Sequence, residues 1–93
     1  MDRKAAIAVV EAELTALRRK RYSELRELLH KELNKTVTGP DGKQYQLETV
    51  IVWDGKPEGD LRVMCSVDDG GIRAFFPLTR DFIIASNGTF VGE

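Results

Sequence analysis

The chain lacks most of the features by which a protein announces chemistry. It has a single cysteine, Cys65, and a single histidine, His30. One cysteine excludes an internal disulfide, so packing alone must hold the fold, and such usage fits a reducing cytoplasm. Glycine and proline are absent from the first 38 residues, and all eight glycines and three prolines follow. No apolar run approaches the ~18 residues of a membrane span. Ala5 to Val10, six apolar residues, is shorter than the ~7–15-residue apolar core of a signal peptide. There is no Gly-rich phosphate loop, no GxSxG elbow, no HExxH and no CxxC pair. The reading is therefore a soluble, cytoplasmic protein with no expected cofactor or metal.

What is present is a change of pattern near Asn34, a charged helical part giving way to strands and turns. Ninety-three residues suit one domain with one modest core. Fourteen basic and fifteen acidic side chains nearly balance, which argues against wholesale nucleic-acid binding. The charge is uneven all the same. Residues 1–35 hold nine Lys/Arg and six Asp/Glu (net +3), and residues 36–93 hold five and nine (net −4). Such asymmetry can steer a partner.

Residues 3–33 show helical periodicity. Ile7, Val10, Leu14 and Leu17 recur every three or four positions, and Leu25, Leu28, Leu29 and Leu33 resume the stripe. Arg18 and Arg21 interrupt it. One long helix with a polar interruption fits, as do two helices that break near Lys20-Arg21-Tyr22. The interruption favours the break, with Ser23 as the cap of the second helix.

Residues 35–93 show strand periodicity. Gly39-Pro40-Asp41-Gly42 is a tight turn between a short strand, 35–38, and a long one, 43–53. In the long strand Tyr45, Leu47, Thr49, Ile51 and Trp53 share a face, while the other face turns apolar at Val50 and Val52. After the loop 54–60, Leu61, Val63, Cys65 and Val67 form the next inward face. Asp68 to Gly71 is expected to turn into a strand carrying Ile72, Ala74, Phe76 and Leu78, with Pro77 at an edge or bulge. Residues 82–85 and 89–91 flank Asn87-Gly88, a hairpin signal. The expectation is an α+β fold: a helix or helix pair on a curved antiparallel meander of four to five strands.

Few residues suggest a reaction. Asp54/Glu58/Asp60 and Asp68/Asp69 gather in loops, but Lys56 and Pro57 stand where calcium ligands would be needed. Turn chemistry accounts for them. His30, set among leucines, fits a half-buried helical histidine better than a catalytic base. Cys65 alternates with core residues and is expected inside.

Two surfaces suggest binding. Val50, Val52, Met64 and Phe75 share the outer side of the sheet, an apolar patch suited to a partner or a second copy. The basic run Arg18-Arg19-Lys20-Arg21 could assist there, or attract nucleic acid by charge, although no aromatics interleave it. Should the sheet curve into a cone, Tyr45, Trp53 and Arg73 would line a pocket for a small ligand or substrate.

The segment Leu17–Leu29, LRRKRYSELRELL, resembles the second-helix region of NTF2-like proteins. The order of helices before a meander resembles the cystatin-like and NTF2-like superfolds. The closing stretch from Asp81 through Asn87-Gly88 to Glu93 is similar to endings of small bacterial proteins. The resemblance implies a fold and, being shared by many functions, no activity. Regulatory and toxin-neutralising immunity roles are compatible with it. The early hairpin at Gly39–Gly42 and the missing acid/base pair depart from NTF2-like enzymes. The function expected is a non-enzymatic protein-interaction module whose partner is another protein or a second copy, a homodimer being one way to cover open sheet edges.

Overall fold

In a computed structural model of the chain, residues 2–69 and 78–93 are described. The first helix, α1, spans Arg3–Arg18. Asp2 caps it, its carboxylate accepting the Ala5 N–H at 3.2 Å. Ala6, Val9, Val10, Leu14 and Leu17 form its buried stripe, the three-and-four spacing that puts one helical face on a core. Arg18 in the last turn suits the negative end of the helix dipole.

The helix breaks where the stripe turns basic. A short second helix, α2, runs Tyr22–Arg26 and buries Leu25. Its cap is Arg21 rather than Ser23. The Glu24 carboxylate accepts the Arg21 N–H at 2.9 Å, satisfying one of the donors a helix start leaves open, so Ser23 is already inside the turn. That bond is also the main reason the Glu24 carboxyl is held below its usual pKa.

The helical region ends earlier than residue 33. Residues 27–30 are turn, and Leu33 already belongs to a strand. His30 adopts φ 59°, a left-handed conformation that diverts the chain, and its N–H donates to Ile51 O at 2.9 Å. It is exposed rather than half-buried in a helix. Leu28 and Leu29 keep their apolar role from the turn, packing against the core.

Among the described residues four antiparallel strands follow: β1 Leu33–Thr38, β2 Gln44–Asp54, β3 Asp60–Asp68 and β4 Leu78–Ile84. Their order in the sheet is their order in the chain, and the sheet stays open. Register sets the faces: Leu47 opposes Val67, Ile51 opposes Val63, and Val63 opposes Phe82. Both helices bury their apolar residues against this face. Each fully buried Val, Leu or Ile there contributes roughly 1.5–3 kcal/mol. Ion pairs tie α1 to both outer strands, Lys35–Glu13 at 2.7 Å and Arg80–Glu11 at 3.8 Å.

Leu78 opens β4, which continues through Phe82, so the separate strand expected over 82–85 is the end of a longer one. The expected strand residues Ile72, Ala74, Phe76 and Pro77, and the turn glycines 70 and 71, lie outside the described residues. Residues 89–91 add a single bridge, Phe90 to Ile84, rather than a strand. Ala85 N–H to Thr89 O (2.8 Å) and Val91 N–H to Ile83 O (2.9 Å) close the Asn87-Gly88 hairpin along the end of β4.

Candidate functional site

The outer face of the sheet changes character along its length. Toward the Gly39–Gly42 turn it is polar, with Thr36 bonded to Gln46 (3.2 Å), Gln44 to Thr38 (2.9 Å) and Ser66 paired with Thr79 (3.0 Å). Toward the β2–β3 loop it turns apolar. Val50 stands opposite Met64, and Val52 opposite Arg62, which in turn opposes Ile83. Val50, Val52, Met64 and Ile83 are all half-buried, although neither helix packs on this side.

Arg62 lies at the middle of these four side chains. Its Nε donates to Asp54 Oδ1 at 3.0 Å, and its Nη1 pairs with Asp81. The Asp54 bond first, and then the Asp81 bond, hold the guanidinium pKa above its ordinary value. An arginine stem can cover apolar neighbours while its head stays in water. The patch thus has an apolar ground and a fixed charge of each sign within it.

The expected patch residues Val50, Val52 and Met64 do come together. Phe75 lies outside the described residues. Ile83 joins them unannounced, because its place follows from pairing Arg62 across to β4. The alternation of Phe82, Ile83 and Ile84 was the signal that could have found it.

The basic run stands elsewhere, at the α1–α2 junction. Arg18 lies over two rings, its guanidinium carbon 4.7 Å from the Phe82 centroid and 4.9 Å from that of Phe90. These rings meet edge to face, 5.6 Å apart. This is why an arginine fits the end of an apolar stripe: its flat cation packs on aromatic faces. Arg19, Lys20 and Arg21 are exposed.

Tyr45 and Trp53 do not share a pocket. They point to one face of β2 but eight residues apart, roughly 27 Å at strand rise. Tyr45 is fully buried and its hydroxyl donates to Asp41 Oδ2 at 2.7 Å. Trp53 is half-buried at the other end, with the Arg26 guanidinium 5.5 Å from its ring centroid. Arg26 also pairs with Glu58, and the Tyr22 hydroxyl donates to Gly59 O at 2.6 Å, so α2 is fastened to the β2–β3 loop. Arg73 lies outside the described residues.

Cys65 is buried, its thiol accepting from Thr49 Oγ1 at 3.7 Å. Burial pushes its pKa up, away from the thiolate a nucleophile needs. Among the described residues no group of three or more His, Cys, Asp or Glu is placed to hold a metal ion, and no helix is long and apolar enough to cross a membrane. Compared with known proteins, the chain matches no family model, no curated protein and no solved structure.

Proposed function

We propose that the protein is a non-enzymatic interaction module that pairs with a second copy of itself through the outer face of its sheet. The observation that carries this reading is the patch on three neighbouring strands, where Val50, Val52, Met64 and Ile83 surround Arg62 on a side opposite both helices. A two-fold pairing joins a patch to its own copy, so it favours a surface carrying both charge signs. Arg62 of one copy can then meet Asp54 or Asp81 of the other. The lone buried thiol supports a cytoplasmic setting. The helix-first order before a meander supports a cystatin-like or NTF2-like relationship, and with it a regulatory or immunity-type role.

The test is native mass spectrometry and light scattering of the wild type and of Met64→Glu. A dimer that becomes a monomer in Met64→Glu, with Tm held within a few degrees, supports the reading. A wild type that stays monomeric at high micromolar concentration, or a folded Met64→Glu that remains dimeric, overturns it.

A further inference from the structure

A cavity of about 490 Å³ lies between the α1–α2 junction and the C-terminal hairpin. Arg18, Lys20 and Arg21 line one side of it, and Ser86, Asn87 and Phe90 the other. The volume is in the range of small-ligand sites, roughly 300–1,000 Å³. None of its described lining residues carries a carboxylate.

The polar groups converge on donation. Asn87 Oδ1 already accepts from the Thr89 N–H (3.0 Å) and hydroxyl (2.7 Å), so the amide NH₂ is the end with bonding capacity left. Lys20 and Arg21 bring two exposed cations. Arg21 has only a loose pair with Glu24, 3.5 Å, and its side chain is 82% exposed. Arg18 is different, because its guanidinium is held against the Phe82 and Phe90 rings, 4.7 Å and 4.9 Å from their centroids.

The chain itself puts an anion on that fixed cation. Glu93 Oε1 accepts from Arg18 Nη1 at 2.6 Å, across 75 residues of sequence. The bond holds the Glu93 carboxyl below its usual pKa. Glu93 supplies one negative charge to Arg18, one of the three basic side chains that line the cleft.

We propose that this cleft binds a small phosphate monoester, whose phosphate displaces the Glu93 carboxylate from Arg18. A dianion with three terminal oxygens matches a guanidinium fork, a second guanidinium and an ammonium better than one carboxylate does. The organic part of the ester packs on Phe90 and the buried Ile84 at the cleft wall. The proposal does not depend on self-association.

Calorimetric titration of the full chain with phenyl phosphate and with benzoate, at low ionic strength where exposed charges are least screened, tests it. Saturable binding of phenyl phosphate, tighter than benzoate, is expected. Lys20→Ala/Arg21→Ala, two exposed sites, should weaken it by about tenfold or more, and Glu93→Gln should tighten it severalfold. No saturable binding, benzoate binding as tightly, or a folded double variant that binds unchanged would each overturn the site. Glu93→Gln binding no tighter than wild type would overturn the displacement. A short single-stranded DNA binding far more tightly than phenyl phosphate would replace the proposal with strand binding by charge.

Discussion

Ile51 and Val52 are adjacent, apolar and β-branched, yet they live in different surroundings. Ile51 points beneath the helices and is fully buried. Val52 points the other way and is half-buried beside Arg62. The same contrast runs along β3, where Leu61, Val63, Cys65 and Val67 are buried and Met64 is not. Alternation in a strand assigns side chains to two faces, but only the face that receives a second layer becomes a core. The apolar residues on the other face then contribute little to folding, which leaves them available for association.

The largest test of this contrast is a pair of truncations. Ile51→Ala is expected to cost roughly 2–5 kcal/mol, a transfer loss plus a cavity. Val52→Ala, measured dilute enough to be monomeric, should cost about 1 kcal/mol or less. Urea unfolding midpoints decide it, and equal losses would mean that both faces are packed alike.

A smaller effect is expected where the inner face meets its first turn. Gly39 is buried, and a Cβ there would lie 2.5 Å from Tyr45 Cε2 and 2.8 Å from Asp41 Oδ1. Gly39→Ala should therefore cost about 1–3 kcal/mol by overpacking. Gly42, with φ 81° and open space around it, is needed for its backbone conformation instead. A Gly39→Ala protein with wild-type stability would show that the ring above it is free to move.

The smallest effect is carried by the Tyr45–Asp41 bond. That bond pushes the tyrosine pKa up to about 12 and holds the Asp41 carboxyl below its usual range. A raised tyrosine pKa means stabilisation that is whole below pH ~10 and lost as pH climbs toward about 12. A depressed carboxylate pKa means stabilisation present above pH ~4 and lost as pH falls through the lowered value. Tyr45→Phe should lower Tm by a few degrees at neutral pH. The gap to wild type should narrow at both extremes. A gap that is constant with pH would show that the hydroxyl matters only for its volume.

Much of the sheet was legible in the sequence. The inward sets on β2 and β3 stand where period-two alternation put them, and Gly39-Pro40-Asp41-Gly42 turns as its composition implies. The break between the helices was signalled by Arg18 and Arg21 inside an apolar stripe. Its cap was not, because Glu24 reaches back to Arg21 and outweighs the ordinary preference for serine. The early end of the helical region was hidden too. Leu28, Leu29 and Leu33 keep helical spacing, while the residue that diverts the chain is His30, where glycine would be the usual marker. The place of Ile83 on the face opposite Phe82 and Ile84 was written in its strand pattern, and only its neighbours across β3 were not. Glu93 on Arg18 is a contact between distant parts of the chain that no local pattern encodes.

The meander carries a consequence for the order in which the protein can assemble. Every described strand pairs with the next described one, so the sheet can grow turn by turn. The helix α1 precedes every strand it covers. On the ribosome its stripe of Ala6, Val10, Leu14 and Leu17 emerges ahead of every strand it covers in the folded protein. Its partner strands are complete only when Ile84 has been added. The nascent helix therefore waits for its own sheet until those strands follow, a window in which chaperones have something to hold.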